Sequence, residues 1–225
     1  MAYSYESAVP WGRSFEEYVQ MFALREQDLS GRILGCADGP AAFNASMARR
    51  GVNVVSCDPL YQFTATQIRK RIDETYDDVI AQTYNNIEKF VWTQIHSVEE
   101  LGQKRRAAMD EFLEHYERGR DGHYVAGELP DLPFGSGTFD LAVCSHFLFL
   151  YSPILSLKFH ENAIEAACGV AREVRIFPLL TYDAETSPYV EPIVRRLQAS
   201  GRTAQIEPVS YEFQRGGNKM LRIYS

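Results

Sequence analysis

The sequence predicts an α/β protein with a doubly wound, mostly parallel sheet that ends in an antiparallel hairpin and carries a helical insertion or cap. Three observations point there. Residues 31–58, GRILGCADGPAAFNASMARRGVNVVSCD, read as strand, Gly-bearing loop, helix, turn and second strand. Beyond residue 122, short apolar runs alternate with helical patterns, the signature of βαβ units. From Ala204 onward that alternation stops, and Arg215-Gly216-Gly217-Asn218 supplies hairpin chemistry between two strand-like runs.

Taken in order, Ser14-Phe15-Glu16-Glu17 has the spacing of a capping box and predicts a helix from about Phe15 to Gln27. Arg13 precedes it, either as a solvated charge or as a clamp on a ligand carboxylate. Arg32–Gly35 opens the first strand, and Ala41–Arg50 is a small-residue helix stopped by Gly51. Val52–Cys57 is an apolar run suited to a strand buried on both faces.

The interval 59–122 is too long for one crossover helix and reads as three helices, Ala65–Ile80, Asn85–Ile95 and Val98–Arg118. One domain over 1–225 is therefore expected, with an N-terminal helical lid over 1–30 and a helical insertion over 59–122 that includes the crossover. The bases Lys104, Arg105, Arg106, Arg118 and Arg120 alternate with acids and read as a solvated helix face. His123–Ala126, Phe139–Cys144 and Glu173–Leu180 are the third to fifth strands, with helices over Phe159–Val170 and Val190–Ser200. Ala204–Phe213 and Lys219–Tyr224 form the closing hairpin.

Composition narrows the function classes. Of 225 residues 45% are hydrophobic, which supports a sizeable core and argues against global disorder. The net charge of −7 makes a poor general binder of nucleic acid, and no basic stripe or aromatic nucleic-acid motif offsets it. The four cysteines form no C-x-x-C pair, and they read as reduced core residues with no metal role. The start MAYSYESAVPW lacks a signal pattern, and no apolar run approaches the ~20 residues of a membrane span, so a cytoplasmic protein is expected. Nothing in the sequence points to an oligomeric state.

In open α/β sheets ligands bind beyond the carboxyl ends of the strands, beside the first strand. Gly35–Gly39, Asp58, Glu128-Leu129 and Ser145-His146 all fall at such ends. Small residues at Gly35, Ala37 and Gly39 admit a ligand to the backbone. Asp58 can accept both hydroxyls of a ribose, and Glu128 with its neighbouring backbone N–H can read an adenine edge. Together they describe an adenosine site. Pro40 stands where G-x-G-x-x-G has its third glycine, and no phosphate loop is present, so the ligand is one without phosphates. The plainer alternatives are a tight turn at Gly35 and Gly39, a cap at Asp58, a loop acid at Glu128 and ordinary strand-end residues at Ser145 and His146. Asp140 reads as structural.

These residues resemble the class I S-adenosylmethionine-dependent methyltransferases. ILGCADG is similar to the family's apolar strand and G-x-G-x-G. Asp58, 19 residues after Gly39, falls on its acid after strand two. Gly127-Glu128-Leu129-Pro130-Asp131-Leu132-Pro133-Phe134 followed by Phe139-Asp140-Leu141-Ala142-Val143 is similar to its G-D-A-x-x-L-P-F and F-D-L-V. The likeness covers about residues 31–58 and 123–225. It implies a Rossmann-like sheet, S-adenosylmethionine as methyl donor and S-adenosylhomocysteine as product. Cofactor contacts are implied at Gly35, Ala37, Asp38, Gly39, Asp58, Glu128, Leu129, Ser145 and Arg13.

The chain departs from the family pattern at Ala37, at Glu128 and at Ile33, where many members carry an acid that helps hold the methionine end. Asp38, or Arg13 with the N-terminal helix, is expected to take that part. The implied reaction is methyl transfer to a small-molecule acceptor, with selectivity from 59–122. His146 is the candidate general base by placement, because imidazole titrates near neutrality. Tyr151 and Tyr182 stand near the ends of strands four and five, where they can face an acceptor. His160 reads as structural, and His96, Trp92, Tyr84 and Tyr76 as core more than cage. The alternative is a non-catalytic cofactor-binding partner or sensor protein, favoured by Ile33 and opposed by Asp58. A nicotinamide-dependent oxidoreductase is opposed by Pro40 and the hairpin.

Overall fold

A computed structural model describes residues 9–119 and 122–224 of the chain. Seven strands, β1 (Ile33–Cys36), β2 (Val54–Cys57), β3 (Tyr124–Val125), β4 (Phe139–Ser145), β5 (Ala171–Phe177), β6 (Thr203–Pro208) and β7 (Lys219–Tyr224), form one sheet in the order β3-β2-β1-β4-β5-β7-β6. The first five run parallel, and β7 lies antiparallel between β5 and β6. The strand order reverses at β1, which pairs Gly35 with Ser56 of β2 and with Val143 of β4. A crevice is therefore expected beyond the carboxyl ends of β1 and its two neighbours.

Helices cover both faces of the sheet. On one side Leu34, Cys36 and Cys144 pack against Ala163, Ile164 and Ala167 of α6 (Leu157–Val170) and Ile193 and Leu197 of α7 (Val190–Ala199). On the other, Ile33, Val54, Leu141 and Val143 meet Tyr18 and Met21 of α1 (Phe15–Met21) and Phe43 and Met47 of α3 (Phe43–Arg49). Burying every residue of β1 explains why it is apolar on both faces. Cys36, Cys57 and Cys144 are buried free thiols, and Cys168 is partly buried.

Between β2 and β3 run α4 (Ala65–Tyr84) and α5 (Val98–Arg118). The helix α5 packs against both α3 and α4, so it is the crossover, and α4 is the addition beside it. Met109, Phe112, Leu113 and Tyr116 of α5 close over Tyr61, Ile68, Ile72 and Tyr124 in a separate core. Residues 1–8 of the expected lid and 120–121 of the expected insertion, Arg120 among them, lie outside the described residues.

The structure corrects four readings. The N-terminal helix divides into α1 and α2 (Glu26–Leu29), because the chain turns at Ala23 (φ +46°). Buried Arg175 holds that turn, donating to the Phe22 carbonyl at 2.8 Å and pairing with Asp28 at 3.1 Å. Asn85–Ile95 is not a helix beyond a short 3₁₀ turn at Ile87–Lys89. Phe90 and Trp92 leave it to pack on Phe213, and the Val91 N–H donates to the Phe213 carbonyl at 2.7 Å. The strand expected over Ala204–Phe213 stops at Pro208, since Tyr211 and Phe213 turn toward the helical layer. Finally, Arg105 is not on a solvated face. It is 1% exposed and pairs with Glu17 of α1 at 2.5 Å.

Candidate active site

The loop that leaves β1 is shaped by what it folds over. A Cβ on Gly35 would lie 2.1 Å from the Asp38 carboxylate, so this glycine makes room for a side chain of its own loop. Asp38 turns back under the loop and accepts from Tyr18 Oη at 2.6 Å and Ser56 Oγ at 2.6 Å. Burial raises its pKa, and the two hydrogen bonds oppose that rise. Ala37 (φ +52°) and Gly39 (φ +53°) both adopt left-handed backbone. Nothing lies within 4 Å of where a Gly39 Cβ would stand, so the loop is open there.

Asp58 ends β2 and spans to this loop. Its Oδ2 accepts from the Gly39 N–H at 2.9 Å and its Oδ1 from the Leu60 N–H at 2.7 Å. Burial pushes its pKa up to about 6 against those hydrogen bonds. Tyr61 Oη donates to the Gly39 carbonyl at 2.7 Å and braces the turn from below. Ala37, Asp38, Gly39, Asp58, Leu60, Ser145 and Arg13 are among the walls of a cavity of about 150 Å³ at this place.

The far wall is the end of β4. His146 stands in left-handed backbone (φ +52°), with its N–H on the Phe177 carbonyl at 2.7 Å and its ring against Phe177. Its Nδ1 lies 2.8 Å from Ser145 Oγ, which in turn is 4.0 Å from Met21 Sδ. Burial, then the charges of Arg13 and Arg105, hold the imidazole pKa well below its ordinary value, so the ring is neutral at neutral pH.

Arg13 donates Nη1 to the Trp11 carbonyl at 2.8 Å, while its Nε is buried without a partner. Burial and the nearby Arg105 charge bring its pKa down to about 10. Arg105 itself is matched. Its two outer nitrogens meet Glu17 at 2.5 and 2.7 Å, and Tyr211 Oη donates to the same carboxylate at 2.8 Å. The pair holds the Glu17 pKa down to about 2 despite burial.

A second cavity, of about 570 Å³, opens behind His146. Trp11, Phe90, Tyr151, Tyr182 and Phe213 give it an aromatic lining, and Gln82, Asn85, Asn86 and Gln214 add carboxamides. Trp11, Arg13, His146 and Tyr151 belong to the walls of both cavities. The two spaces therefore meet at the candidate base.

The structure thus gathers Arg13, Ala37, Asp38, Gly39, Asp58, Ser145 and His146 around the smaller cavity, and puts Tyr151 and Tyr182 on the larger. Gly35 lies beneath the loop. Leu129 is buried in the core and Glu128 is exposed, and neither is among the residues that line the two cavities. His160 is wholly buried, with both ring nitrogens on backbone carbonyls of Ser156 and Leu148, a structural role. Asp140 ties Arg32 through backbone and side chain.

Arg105 was the residue missed. A signal existed: Leu101, Arg105, Ala108 and Phe112 recur at helical spacing, so this base sits on the apolar face of α5 while Lys104 and Arg106 do not. Among the described residues, no helix is long and apolar enough to cross a membrane.

Comparison with known proteins bears on this arrangement. No protein-family model matches the chain. A protein of Methanocaldococcus jannaschii, "Uncharacterized protein MJ0045", is 33% identical over 215 residues, which are 94% of each chain. Magnesium protoporphyrin IX methyltransferase from Synechocystis PCC 6803 with bound S-adenosylhomocysteine superposes with a TM-score of 0.51 at 14% identity, over 93% of this chain and 81% of that one. The glycopeptide N-methyltransferase MtfA, also solved with S-adenosylhomocysteine, gives a TM-score of 0.50 at 10% identity, over 92% of this chain and 88% of that one. At such identities the likeness is one of fold.

Proposed function

The chain belongs to the family of the Methanocaldococcus protein and has the class I S-adenosylmethionine-dependent methyltransferase fold, and on that premise we propose that it methylates a small-molecule acceptor with S-adenosylmethionine as donor. The observation that carries this reading is the pair of cavities that meet at His146. One lies at the β1–β2 crevice with Asp38 and Asp58 on its walls, and the other is a larger aromatic chamber.

The residues suit an adenosine-bearing ligand. Open space above Gly39 lets it approach the loop. Each Asp58 oxygen holds one backbone N–H and retains capacity to accept from a ribose hydroxyl. Glu128 and Leu129 follow β3, where an adenine edge would be read. Ala37 and Ser145, with Arg13 beside them, would hold the methionine end. Asp38 supports the loop from beneath, its oxygens already taken by Tyr18 and Ser56.

When bound, S-adenosylmethionine supplies a methyl group already activated on a sulfonium, so the protein must chiefly align the reactants and exclude water. Trp11 and Arg13, just ahead of α1, stand over both cavities and cover their junction. His146 takes the proton that a protonated acceptor must lose. For Nε2 to accept it, Nδ1–H must donate to Ser145 Oγ, and Ser145 can pass its own hydrogen to Met21 Sδ. That tautomer leaves the free nitrogen lone pair for the acceptor.

Calorimetry with S-adenosylmethionine, S-adenosylhomocysteine and NAD tests the cofactor. Binding of both sulfur compounds and none of NAD is expected, and failure of both to bind overturns the reading. Release of S-adenosylhomocysteine across a metabolite panel then separates an enzyme from a protein that only binds the cofactor.

A further inference from the structure

The two cavities differ in their balance of charge. The smaller has Asp38 and Asp58 on its walls, with Arg71 and the shared Arg13 beside them. The larger has Arg13, Lys89, Arg105 and a single acid, Asp183. Two of its three cations are already matched. Lys89 pairs with Asp183 at 3.3 Å, and Arg105 is held by Glu17. Arg13 is left in excess: Glu17 acts on both arginines but bonds Arg105, among the described residues no carboxylate bonds the Arg13 guanidinium, its one side-chain hydrogen bond goes to the Trp11 carbonyl, and its Nε has no partner. Two guanidiniums over one carboxylate, Arg13 being half-buried, leave one positive charge in excess, and a ligand that brings one negative charge balances it.

We propose that the acceptor held by the larger cavity is a small planar aromatic molecule bearing one carboxylate, which pairs with Arg13 while the nucleophilic atom faces His146. This rests on the methyltransferase reading for its reaction, but its binding chemistry stands on the cavity alone. Arg13 borders both cavities, so the cofactor's methionine carboxylate can reach it, but that carboxylate arrives with its own ammonium and a sulfonium, so the cofactor leaves the net positive charge in place. The smaller cavity sets two acids against two cations, whereas the larger sets three cations against one acid, which suits an anionic acceptor. One unmatched guanidinium offers a planar fork for a carboxylate and one charge to balance it, which disfavours a phosphate dianion. The aromatic body follows from Trp11, Phe90, Tyr151 and Phe213, whose rings accept flat apolar surface. Neutralising Arg13 also removes one of the charges that depress His146, so the acceptor's own carboxylate makes its base more basic.

The test is calorimetry on the full chain with matched acid and amide probes: 4-hydroxybenzoate against 4-hydroxybenzamide, and indole-3-carboxylate against indole-3-carboxamide, each with and without S-adenosylhomocysteine. At least one acid is expected to bind tenfold or more tightly than its amide, and Arg13→Gln is expected to bring that ratio close to one. Equal affinity for acid and amide in the unmodified protein, absence of binding by both acids, or an undiminished ratio in Arg13→Gln each overturns the proposal. Should the variant not fold, the acid-to-amide ratio of the unmodified protein still decides between charge recognition and its absence. Failure of S-adenosylhomocysteine to bind would count against the methyltransferase reading only, because that ratio, measured on the cofactor-free protein, still reports on Arg13.

Discussion

The Asp58 carboxylate accepts the Gly39 N–H at 2.9 Å, and so the end of β2 is tied to the loop that leaves β1. The bond fixes the left-handed turn at Gly39 and sets the carboxylate at the edge of the smaller cavity. One residue therefore shapes the loop and offers acceptors to a ribose. Asp58→Ala should weaken S-adenosylhomocysteine binding by about 1.5–3 kcal/mol, the worth of hydrogen bonds to a charged group. Calorimetry that finds unchanged affinity removes Asp58 from the ribose site.

The raised pKa of Asp58 gives a pH dependence with a definite sign. The folded chain holds this proton up to about pH 6, against an ordinary value of 3.8. Its contribution thus favours folding most below the ordinary value and is lost as pH rises through 6. Ligand binding has the opposite sense, because the ionised carboxylate is the better acceptor. S-adenosylhomocysteine affinity should fall as pH is lowered from about 7 to about 5, and Asp58→Asn should flatten the profile. A flat profile in the unmodified protein would count against this.

Glu17 behaves in reverse. Its pKa is held near 2 by Arg105, so it stabilises the fold above its ordinary 4.5, and this contribution fades as pH falls toward 2. Removing one partner strands the other charge in the interior. Arg105→Met or Glu17→Gln alone should cost about 3–5 kcal/mol in urea unfolding, and the double variant should cost less than the sum of the two. Strict additivity would mean that the pair is not coupled.

The two loop glycines should fail differently. Gly35→Ala drives a methyl into Asp38 and breaks its bonds to Tyr18 and Ser56, at a stability cost of roughly 2–4 kcal/mol. Gly39→Ala meets no atom but strains a left-handed residue by roughly 1–2 kcal/mol and fills the space over the loop. Thermal melts and calorimetry should show stability lost mainly in the first and cofactor binding lost mainly in the second. The reverse pattern would exchange the two roles.

His146 also occupies left-handed backbone, so Asn is the substitution that removes the imidazole while tolerating that conformation. His146→Asn should leave S-adenosylhomocysteine affinity within about threefold and lower turnover on the identified acceptor by about 10²-fold or more, the usual contribution of a general base. Turnover near that of the unmodified protein assigns His146 to structure instead.

Much of the architecture was legible because local chemistry and global fold agree. Ile33–Cys36 and Val54–Cys57, apolar but for Ser56, become parallel strands buried at every position except half-buried Val55. Gly51 and the glycines of 215–218 mark chain reversals that form. Asp58, Ala37, Gly39 and Ser145 could be named from their places at strand ends, because a parallel sheet collects those ends at one edge. Where sequence reasoning failed, a distant contact outweighed a local pattern. Phe90 and Trp92 are drawn out of a helical stretch by Phe213, and α1 stops early because Arg175 takes the carbonyls and the acid beyond it.

The sequence alone, then, determined which segments form the parallel strands and the residue types at their ends, since both follow from periodicity and from glycine and acid placement along the chain. Only the tertiary structure decided what those residues do for one another. It made Gly35 the seat of the Asp38 carboxylate, paired Arg105 with Glu17, and set Arg13, bonded to no carboxylate among the described residues, where two cavities meet. Each of these sets a charge against or away from another group in space, and Coulomb's law acts on that distance, which spacing in sequence does not encode.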